Sequence, residues 1–418
     1  MTDSAPFEGA SPAGEDRYIA FRSAAYRRYW GSRFANTFAA QIVSVAIGWQ
    51  IYDISRNPFH LGLVGLTQFL PSLILVLVTG AVADRFGRRL IMALSDGMEA
   101  LCTAWLLYLT FIGTETVWPY FPLLAAFGIA RAFHGPASSA LVTNVVPKEA
   151  VANAIAWNSS AWQISTILGP VAGGLLYGVS PVFAYGIAAV ILAIAAVTAA
   201  MIPRPAQQQV RDKVSMQTLL AGFAYIWREK VVLGAISLDL FAVLLGGAVA
   251  LMPVYARDIL ELGPWGLGML RAAPGIGAVI MALWLTGKPI ENHAGYIMLA
   301  CVALFGLFTA VFGASTLAWL SILALALLGA ADMVSVYIRE TLIQLWTPDD
   351  LRGRVNAVNM VFVGASNELG EFRAGTMAAF IGTVPAVVLG GVGAIGVAAL
   401  WVTLFPQLAR TRNLRGRE

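Results

Sequence analysis

Twelve apolar runs, each close to the length that crosses a bilayer, dominate the chain. A membrane-spanning helix needs about 20 mostly apolar residues. The runs fall at 32–54, 61–83, 89–112, 118–141, 152–178, 181–202, 231–254, 265–287, 294–312, 316–341, 353–379 and 384–406. In lipid every backbone N–H and C=O must be satisfied within its own segment, so these runs are predicted to be helices. Only 12% of the 418 residues are charged, about half the share of a soluble domain. That is too few charges to cover a water-facing surface of this size. The predicted class is an all-α integral membrane protein with twelve transmembrane helices.

Lysine and arginine concentrate in alternate loops. One side holds the residues from Arg17 to Arg28, Arg85, Arg88, Arg89, Lys148, the stretch from Arg204 to Lys230, Lys288, Arg352, Arg354 and the tail from Arg410. The other side holds only Arg56 and Arg257. The positive-inside rule therefore places both termini in the cytoplasm and the chain in the cell membrane. The basic balance is spread over loops, so it sets topology and does not read as a nucleic-acid patch. The first 16 residues lack the apolar core of a secretion signal and are expected to form a disordered tail. Cys102 and Cys301 sit inside apolar runs as packing residues, without disulfide or metal spacing.

The longest break divides the chain. Residues 1–30 read as an N-terminal tail, 31–202 as a six-helix bundle, 203–230 as a linker, 231–406 as a second six-helix bundle and 407–418 as a tail. The second part of the linker has helical apolar spacing and is expected to lie on the membrane surface. The halves repeat at an offset of 201 residues: Pro147-Lys-Glu matches Pro348-Asp-Asp, and Asn158, Ser165, Gly169 and Gly174 match Asn359, Ser366, Gly370 and Gly375. Parallel six-helix repeats place a substrate site between the halves, near the bilayer midplane.

The loop between the second and third spans reads Gly80-Ala-Val-Ala-Asp84-Arg85-Phe-Gly87-Arg88-Arg89. Gly87 suits a tight turn, Gly80 a close helix contact, and the charges form a cluster at the membrane edge. A purely topogenic loop would need the basic residues but neither the Asp nor the glycines. This loop resembles the signature loop of the major facilitator superfamily, Gly-x-x-x-Asp-Arg-x-Gly-Arg-Arg/Lys. The resemblance implies that Asp84 accepts hydrogen bonds near Gly353 and Arg354 at the start of the eleventh span, where the helix dipole favours an anion. Such a contact would latch the halves in an outward-open state. The fifth span carries Gly169-Pro170-Val-Ala-Gly173-Gly174, which resembles the Gly-Pro-x-x-Gly-Gly motif of exporters in that superfamily; small residues allow close helix approach and Pro bends the helix. Ordinary small-residue packing is the other reading.

Ionisable residues inside spans are expensive and usually paired or functional. Arg131 lies in Arg131-Ala-Phe-His134-Gly135, which resembles the fourth-helix arginine motif of proton-driven exporters. Arg131 and Glu99 each lie about ten residues from the same membrane edge, about 15 Å deep, so an Arg131–Glu99 pair is expected, with Asp96 one turn shallower. His134 reads as a packing residue. The second half has Asp239, Asp332, Glu368 and Glu371. A carboxyl whose neutral form is favoured by desolvation and whose charged form is favoured by a nearby cation can load and release a proton, so these are proton-coupling candidates with Glu99 and Arg131. A structural network is the alternative for Glu368, Glu371, Arg373 and Arg271. Arg339 and Glu340 are expected near the cytoplasmic mouth. Trp30, Trp118, Trp265 and Trp346 read as interface anchors, while Trp49, Trp157 and Trp162 are candidates to face the cavity.

Further stretches extend the resemblance over most of the chain from about Arg22 to Pro406, among them Thr347-Pro-Asp-Asp-Leu-Arg-Gly-Arg and Gly364-Ala-Ser-Asn-Glu-Leu-Gly-Glu. They look like the branch of enterobactin exporters and multidrug efflux proteins. The resemblance implies the two-bundle major facilitator fold and proton-coupled export of a siderophore or lipophilic drug-like molecule by alternating access. The alternative is an importer or uniporter of a small nutrient. Expected partners are a small-molecule substrate and the lipid bilayer, with no nucleic acid, no cofactor beyond the proton gradient and no metal; one chain can enclose its own pathway, so a monomer suffices. The absence of a phosphate-binding loop argues against ATP drive, and no nucleophile elbow or metal spacing points to an enzyme.

Overall fold

The computed structural model describes residues 17–204, 216–288, 290 and 292–411, apart from the side chains at 76–77, 80–81, 83–85, 216–221 and 350. Its long helices are α1 (Ala24–Ser55), α2 (Pro58–Arg85), α3 (Arg88–Phe111), α4 (Tyr120–Val145), α5 (Val151–Val179) and α6 (Pro181–Ala200) in the first half. The second half has α7 (Met216–Arg228), α8 (Lys230–Gly246), the short α9 (Met252–Val254), α10 (Gly263–Gly287), α11 (Ala294–Ala314), α12 (Ala318–Trp346), α13 (Asp349–Ile381), α14 (Thr383–Leu404) and the final turn α15 (Pro406–Ala409). Among the described residues eight stretches can cross a membrane by length and composition: Pro58–Leu75 of α2, α3, α6, Lys230–Ile259, α10, α11, α12 and α14. At 32, 26, 29 and 33 residues, α1, α4, α5 and α13 are also long enough. Polar residues interrupt their apolar runs, and much of the polar chemistry below sits on them.

Local signals set the helix ends. Ser23 caps α1, accepting from Tyr26 N, so α1 starts at Ala24 and not at residue 32. Asn57 and Ser180 cap α2 and α6, each followed by Pro in the first turn, where the missing N–H costs nothing. The predicted seventh span is not one straight helix. It stops at Gly246, passes through a 3₁₀ turn and α9, and ends in a π-helical turn, Tyr255–Ile259. Gly246 and Gly247 weaken the helix there, and Pro253 cannot donate to the preceding turn.

Each half packs as a bundle: α1 lies on α5 and α6, α3 on α4 and α6, α2 on α4; then α8 on α13 and α14, α10 on α12, and α11 on α12 and α14. The bundles meet along two seams, α5 with α10 and α2 with α13. Both described chain ends lie on one face, here called the terminal face. Trp157 Nε1, near the start of α5, donates to Arg17 O at 3.0 Å, and Gly295 N, at the start of α11, donates to Thr411 O at 3.1 Å. The helix α7 packs Ile226 against Val355, Val358 and Ile343, and Tyr225 Oη donates to Trp346 O at 2.5 Å. The linker helix therefore grips α12 and α13 near the terminal face. The rest of the linker, 205–215, and the tails 1–16 and 412–418 lie outside the described residues.

Candidate functional site

The seams close the molecule at the face opposite the termini. A methyl group placed on Gly174 would come 2.5 Å from Pro264 O and 3.1 Å from Gly268 N. One on Gly375 would come 2.8 Å from Pro58 O and 2.7 Å from Gly62 N. Gly174 and Gly375 are repeat equivalents, and Pro58 and Gly62 match Pro264 and Gly268 at a common offset of 206 residues. One glycine contact is thus used twice, once per seam. In the exporter-like motif Gly169 and Gly173 instead receive α1, since Cβ atoms there would come 2.5 Å from Gln41 Cβ and 3.0 Å from Ile42 Cα. Pro170 O faces Gly268 across the seam.

Charges clasp the same face. Arg257 Nη1 lies 2.5 Å from Asp53 Oδ1, Arg56 Nη1 lies 3.5 Å from Asp258 Oδ1, and Tyr52 Oη donates to Asp258. The Arg257 guanidinium also sits 5.5 Å from the Trp49 ring. Asp53, Arg56 and Tyr52 belong to the first bundle, Arg257 and Asp258 to the second. The only two basic residues on the sparsely charged side of the sequence are both in this clasp. Trp49 therefore belongs to the closed end and does not line the cavity.

Towards the terminal face the bundles part around a cavity of about 950 Å³. Its first-bundle wall presents Ser139, Thr143, Asn158, Ser159, Gln163 and Thr166 beside Trp162; its second-bundle wall presents Pro274, Gly275, Ala278, Leu328, Met333 and Val336. Arg33, Arg271 and Asp332 supply its charges. Arg33 donates to Tyr29 Oη at 3.0 Å and Ser138 Oγ at 3.1 Å. Of the three predicted cavity tryptophans Trp162 lines the cavity, whereas Trp157 stacks on Tyr18 and packs edge-on to Phe21 beneath the N-terminal turn.

A smaller chamber of about 250 Å³ lies between the cavity and the clasp. Glu368 and Glu371 of α13, Arg131 of α4 and Arg271 of α10 face into it. Arg131 acts electrostatically on Glu368, and Arg271 on Glu371. Arg271 lines both chambers, and its Nη1 donates to Ser44 Oγ of α1 at 2.6 Å. Gly65 makes room for the acids: a Cβ there would come 2.9 Å from Glu368 Oε2 and 3.1 Å from Glu371 Oε2. Arg373, expected in this cluster, points elsewhere and contacts Met377 Sδ at 3.0 Å. Arg131 and Asp332 are themselves repeat equivalents at the 201-residue offset, so the two halves carry opposite charges at one position.

The expected Arg131–Glu99 ion pair does not form. Asn36 Nδ2 donates to Glu99 Oε2 at 2.8 Å and to Asp96 Oδ1 at 2.9 Å, Ser32 Oγ donates to Asp96 Oδ2 at 3.1 Å, and His134 Nε2 lies 3.1 Å from Asp96 Oδ1. Glu99 and Asp96 are buried in a local network of α1, α3 and α4. Equal depth on neighbouring helices does not fix which way a side chain turns. His134 is thus a polar partner as well as a packing residue. In the second half Asp239 pairs with Arg339, and Asp332 lies within their electrostatic reach. Arg339 is buried; Glu340 accepts from Asn359 Nδ2 at 3.0 Å.

In the signature loop Arg88 Nη1 donates to Ala140 O at 3.0 Å and Asn144 Oδ1 at 2.8 Å, while Arg89 Nη1 donates to Ile202 O at 2.8 Å. These cations tie the start of α3 to the terminal ends of α4 and α6, where helix dipoles favour positive charge. Gly87 caps α3. Gly80 lies within α2, and the side chains of Asp84 and Arg85 lie outside the described part. The eleventh span begins at Asp349, so Gly353 and Arg354 fall in its second turn. Gly353 has open space at its α-carbon, and Arg354 O lies against Gly222 of α7.

The profile of a family described as transmembrane secretion effector matches residues 16–414. The enterobactin exporter EntS of Shigella boydii serotype 18 is 25% identical over 401 residues, covering 93% of this chain and 94% of that protein. Among solved structures, a mutant of the nucleoside transporter NupG superposes with a TM-score of 0.71 at 12% identity, over 91% of this chain and all of that one. A bacterial homologue of the human lysosomal transporter Spinster, in an inward-facing and occupied conformation, gives 0.68 at 12% identity, over 95% and 97%. These structures share the fold alone.

Proposed function

Since the chain belongs to the transmembrane secretion effector family and has the major facilitator fold, we propose that it is a proton-coupled exporter in the cytoplasmic membrane, moving a siderophore or a lipophilic drug-like molecule outward by alternating access. The terminal face is cytoplasmic in this reading. The observation that carries it is the chamber where Glu368 and Glu371 meet Arg131 and Arg271 at the closed end of a cargo-sized cavity. Carboxylates inside a membrane are costly unless they are paired or titrate. Here each shares the chamber with an arginine of another helix that acts on it electrostatically without a close ion pair, and Arg131 belongs to the opposite bundle, so bundle movement changes their counter-charges. A proton entering from outside would neutralise a glutamate, loosen its tie to arginine and allow the return to the inward-open state. No cofactor is needed, and one chain encloses the route.

Likeness to the enterobactin exporter supports outward movement and a siderophore as cargo. Uptake is the second reading, and Arg271 is the observation that favours it. An anion that drew Arg271 away from Glu371 would leave that acid without its counter-charge, so proton and cargo would travel together. The test is transport in proteoliposomes under an imposed pH gradient, with a catecholate siderophore, a macrolide and a lipophilic cationic dye. Cargo movement opposite to proton flow, abolished by a protonophore, is expected. Movement with the proton flow would establish uptake instead. No movement of any of the three by folded, inserted protein would contradict export of these classes.

A further inference from the structure

We propose that the cargo is dipolar: it carries an anionic group that Arg33 binds from the first bundle and a basic nitrogen that Asp332 binds from the second. The inference rests on the reading of the cavity of about 950 Å³ as the cargo route, and it names the chemistry that this route accepts.

The internal repeat shows which wall charges are left over. At the 206-residue offset Arg33 of α1 corresponds to Asp239 of α8, and at the 201-residue offset Ser138 of α4 corresponds to Arg339 of α12. One interhelical contact is therefore built twice. In the second half it is an ion pair, Asp239 with Arg339, and it neutralises itself. In the first half Arg33 Nη1 meets neutral oxygens, Tyr29 Oη at 3.0 Å and Ser138 Oγ at 3.1 Å. Among the described residues Arg33 has no ion pair. Asp332 is the converse. Among the described residues it has neither a hydrogen bond nor an ion pair. Arg339, the cation that acts on it, is committed to Asp239 and also lies 3.8 Å from Glu340 Oε1. The third wall charge, Arg271, donates to Ser44 and acts on Glu371 in the smaller chamber. One uncommitted cation on the first-bundle wall thus shares the cavity with one uncommitted anion on the second-bundle wall.

Arg33 and Asp332 are half-buried and line the open cavity, where water reaches them. Alternating access closes the bundles over the cargo and removes that water. A charge taken out of water without a counter-charge is strongly unfavourable. A neutral cargo would strand both residues, and a singly charged cargo would strand one. A dipolar cargo satisfies both and links the two bundles through its own length. Arg33 uses Nη1 for its two hydrogen bonds, so the edge formed by Nε and Nη2 is left for a planar anion such as a carboxylate, which guanidinium binds in a bidentate manner. Asp332 accepts hydrogen bonds only, so its partner is a protonated amine.

Fluorescence binding of matched dansyl sulfonamides to the full chain in nanodiscs, with empty nanodiscs subtracted, tests this. Nα-dansyl-lysine carries a carboxylate and a separate ammonium. Dansylcadaverine is the same molecule without the carboxylate, and Nα-dansyl-norleucine lacks the ammonium. Nα-dansyl-lysine should bind about tenfold or more tightly than either, since a hydrogen bond to a charged group contributes at least that factor. Asp332→Asn should remove its advantage over Nα-dansyl-norleucine without weakening Nα-dansyl-norleucine itself. Arg33→Gln should remove its advantage over dansylcadaverine and spare dansylcadaverine. In each case the spared probe shows that the variant is folded. Nα-dansyl-lysine held no more tightly than the better single-charge probe would overturn the proposal, as would equal loss of all three probes in Asp332→Asn or no binding of any to the unaltered protein. Gln163→Trp, which fills the cavity, separates this inference from the reading beneath it. If it abolishes a binding that is indifferent to both charges, the cavity remains the cargo route and the dipolar preference alone fails. If it changes nothing, the cargo route itself is misplaced.

Discussion

Replacing Arg257 with alanine should open the face opposite the termini. The substitution removes the ion pair to Asp53 and the stacking on Trp49, leaving the Arg56–Asp258 and Tyr52–Asp258 contacts in place. The Arg257 and Asp53 side chains are 23% and 42% exposed, so solvent screens the pair and its worth is about 0.2–1 kcal/mol. The cation–π contact adds about 0.5–1 kcal/mol. Together the loss is about 0.7–2 kcal/mol, a shift of roughly 3–30-fold in the ratio of closed to open molecules. Spin labels on the ends of α1 and α10, read by pulsed dipolar spectroscopy in liposomes, should show a longer-distance population grow by that factor. Asp258→Asn should do the same through Arg56 and Tyr52, and the double variant should move further, with coupling wherever the two contacts share a rearrangement. High salt should act in the same direction, since the clasp is partly exposed. An unchanged distance distribution in both single variants, with the protein folded, would refute the clasp as a gate.

Other consequences follow from the same geometry. Gly174→Val and Gly375→Val should impair transport alike, because each forces overpacking of about 1–3 kcal/mol into an equivalent seam contact; transport rate and the closed-state distance check this, and a defect in one alone would break the symmetry of the seams. Asn36→Leu should lower thermal stability in detergent by more than about 1–3 kcal/mol, since two buried carboxylates lose their shared donor; an unchanged melting temperature would mean that water replaces it. Gly65→Ala should reduce proton-coupled transport while leaving cargo binding intact, because the new methyl group displaces Glu368 and Glu371; equal loss of binding would place those acids in the cargo site.

Much of the architecture is legible because membrane helices follow length and apolarity, and because the repeat offset is preserved in residues that pack. Gly174 and Gly375 could be paired from sequence, and the structure shows the contact they share. Side-chain partners were harder. Counting along a helix gives depth but not azimuth, so depth alone pairs Arg131 with Glu99 at its own level. The step from Arg131 to His134 turns the helix by about 60°; His134 meets Asp96 while Arg131 faces the second bundle. The clasp was also hidden. Arg56 and Arg257 were visible as the two exceptions to the charge bias, but bringing them to opposing acids required the left-handed cap at Arg56 and the π-helical turn after α9. Gly65 carries no motif, and only the position of two carboxylates against its backbone reveals why a side chain is excluded.

The most direct test of proton-coupled export is simultaneous recording of cargo and proton flux in proteoliposomes, for the unaltered protein and for Glu371→Gln and Glu368→Gln. Protons and cargo should move in opposite directions in a fixed ratio, and at least one of the two variants should bind cargo yet lose proton flux. Cargo transport with no accompanying proton movement in the unaltered protein, or full coupling in both variants, would contradict the account.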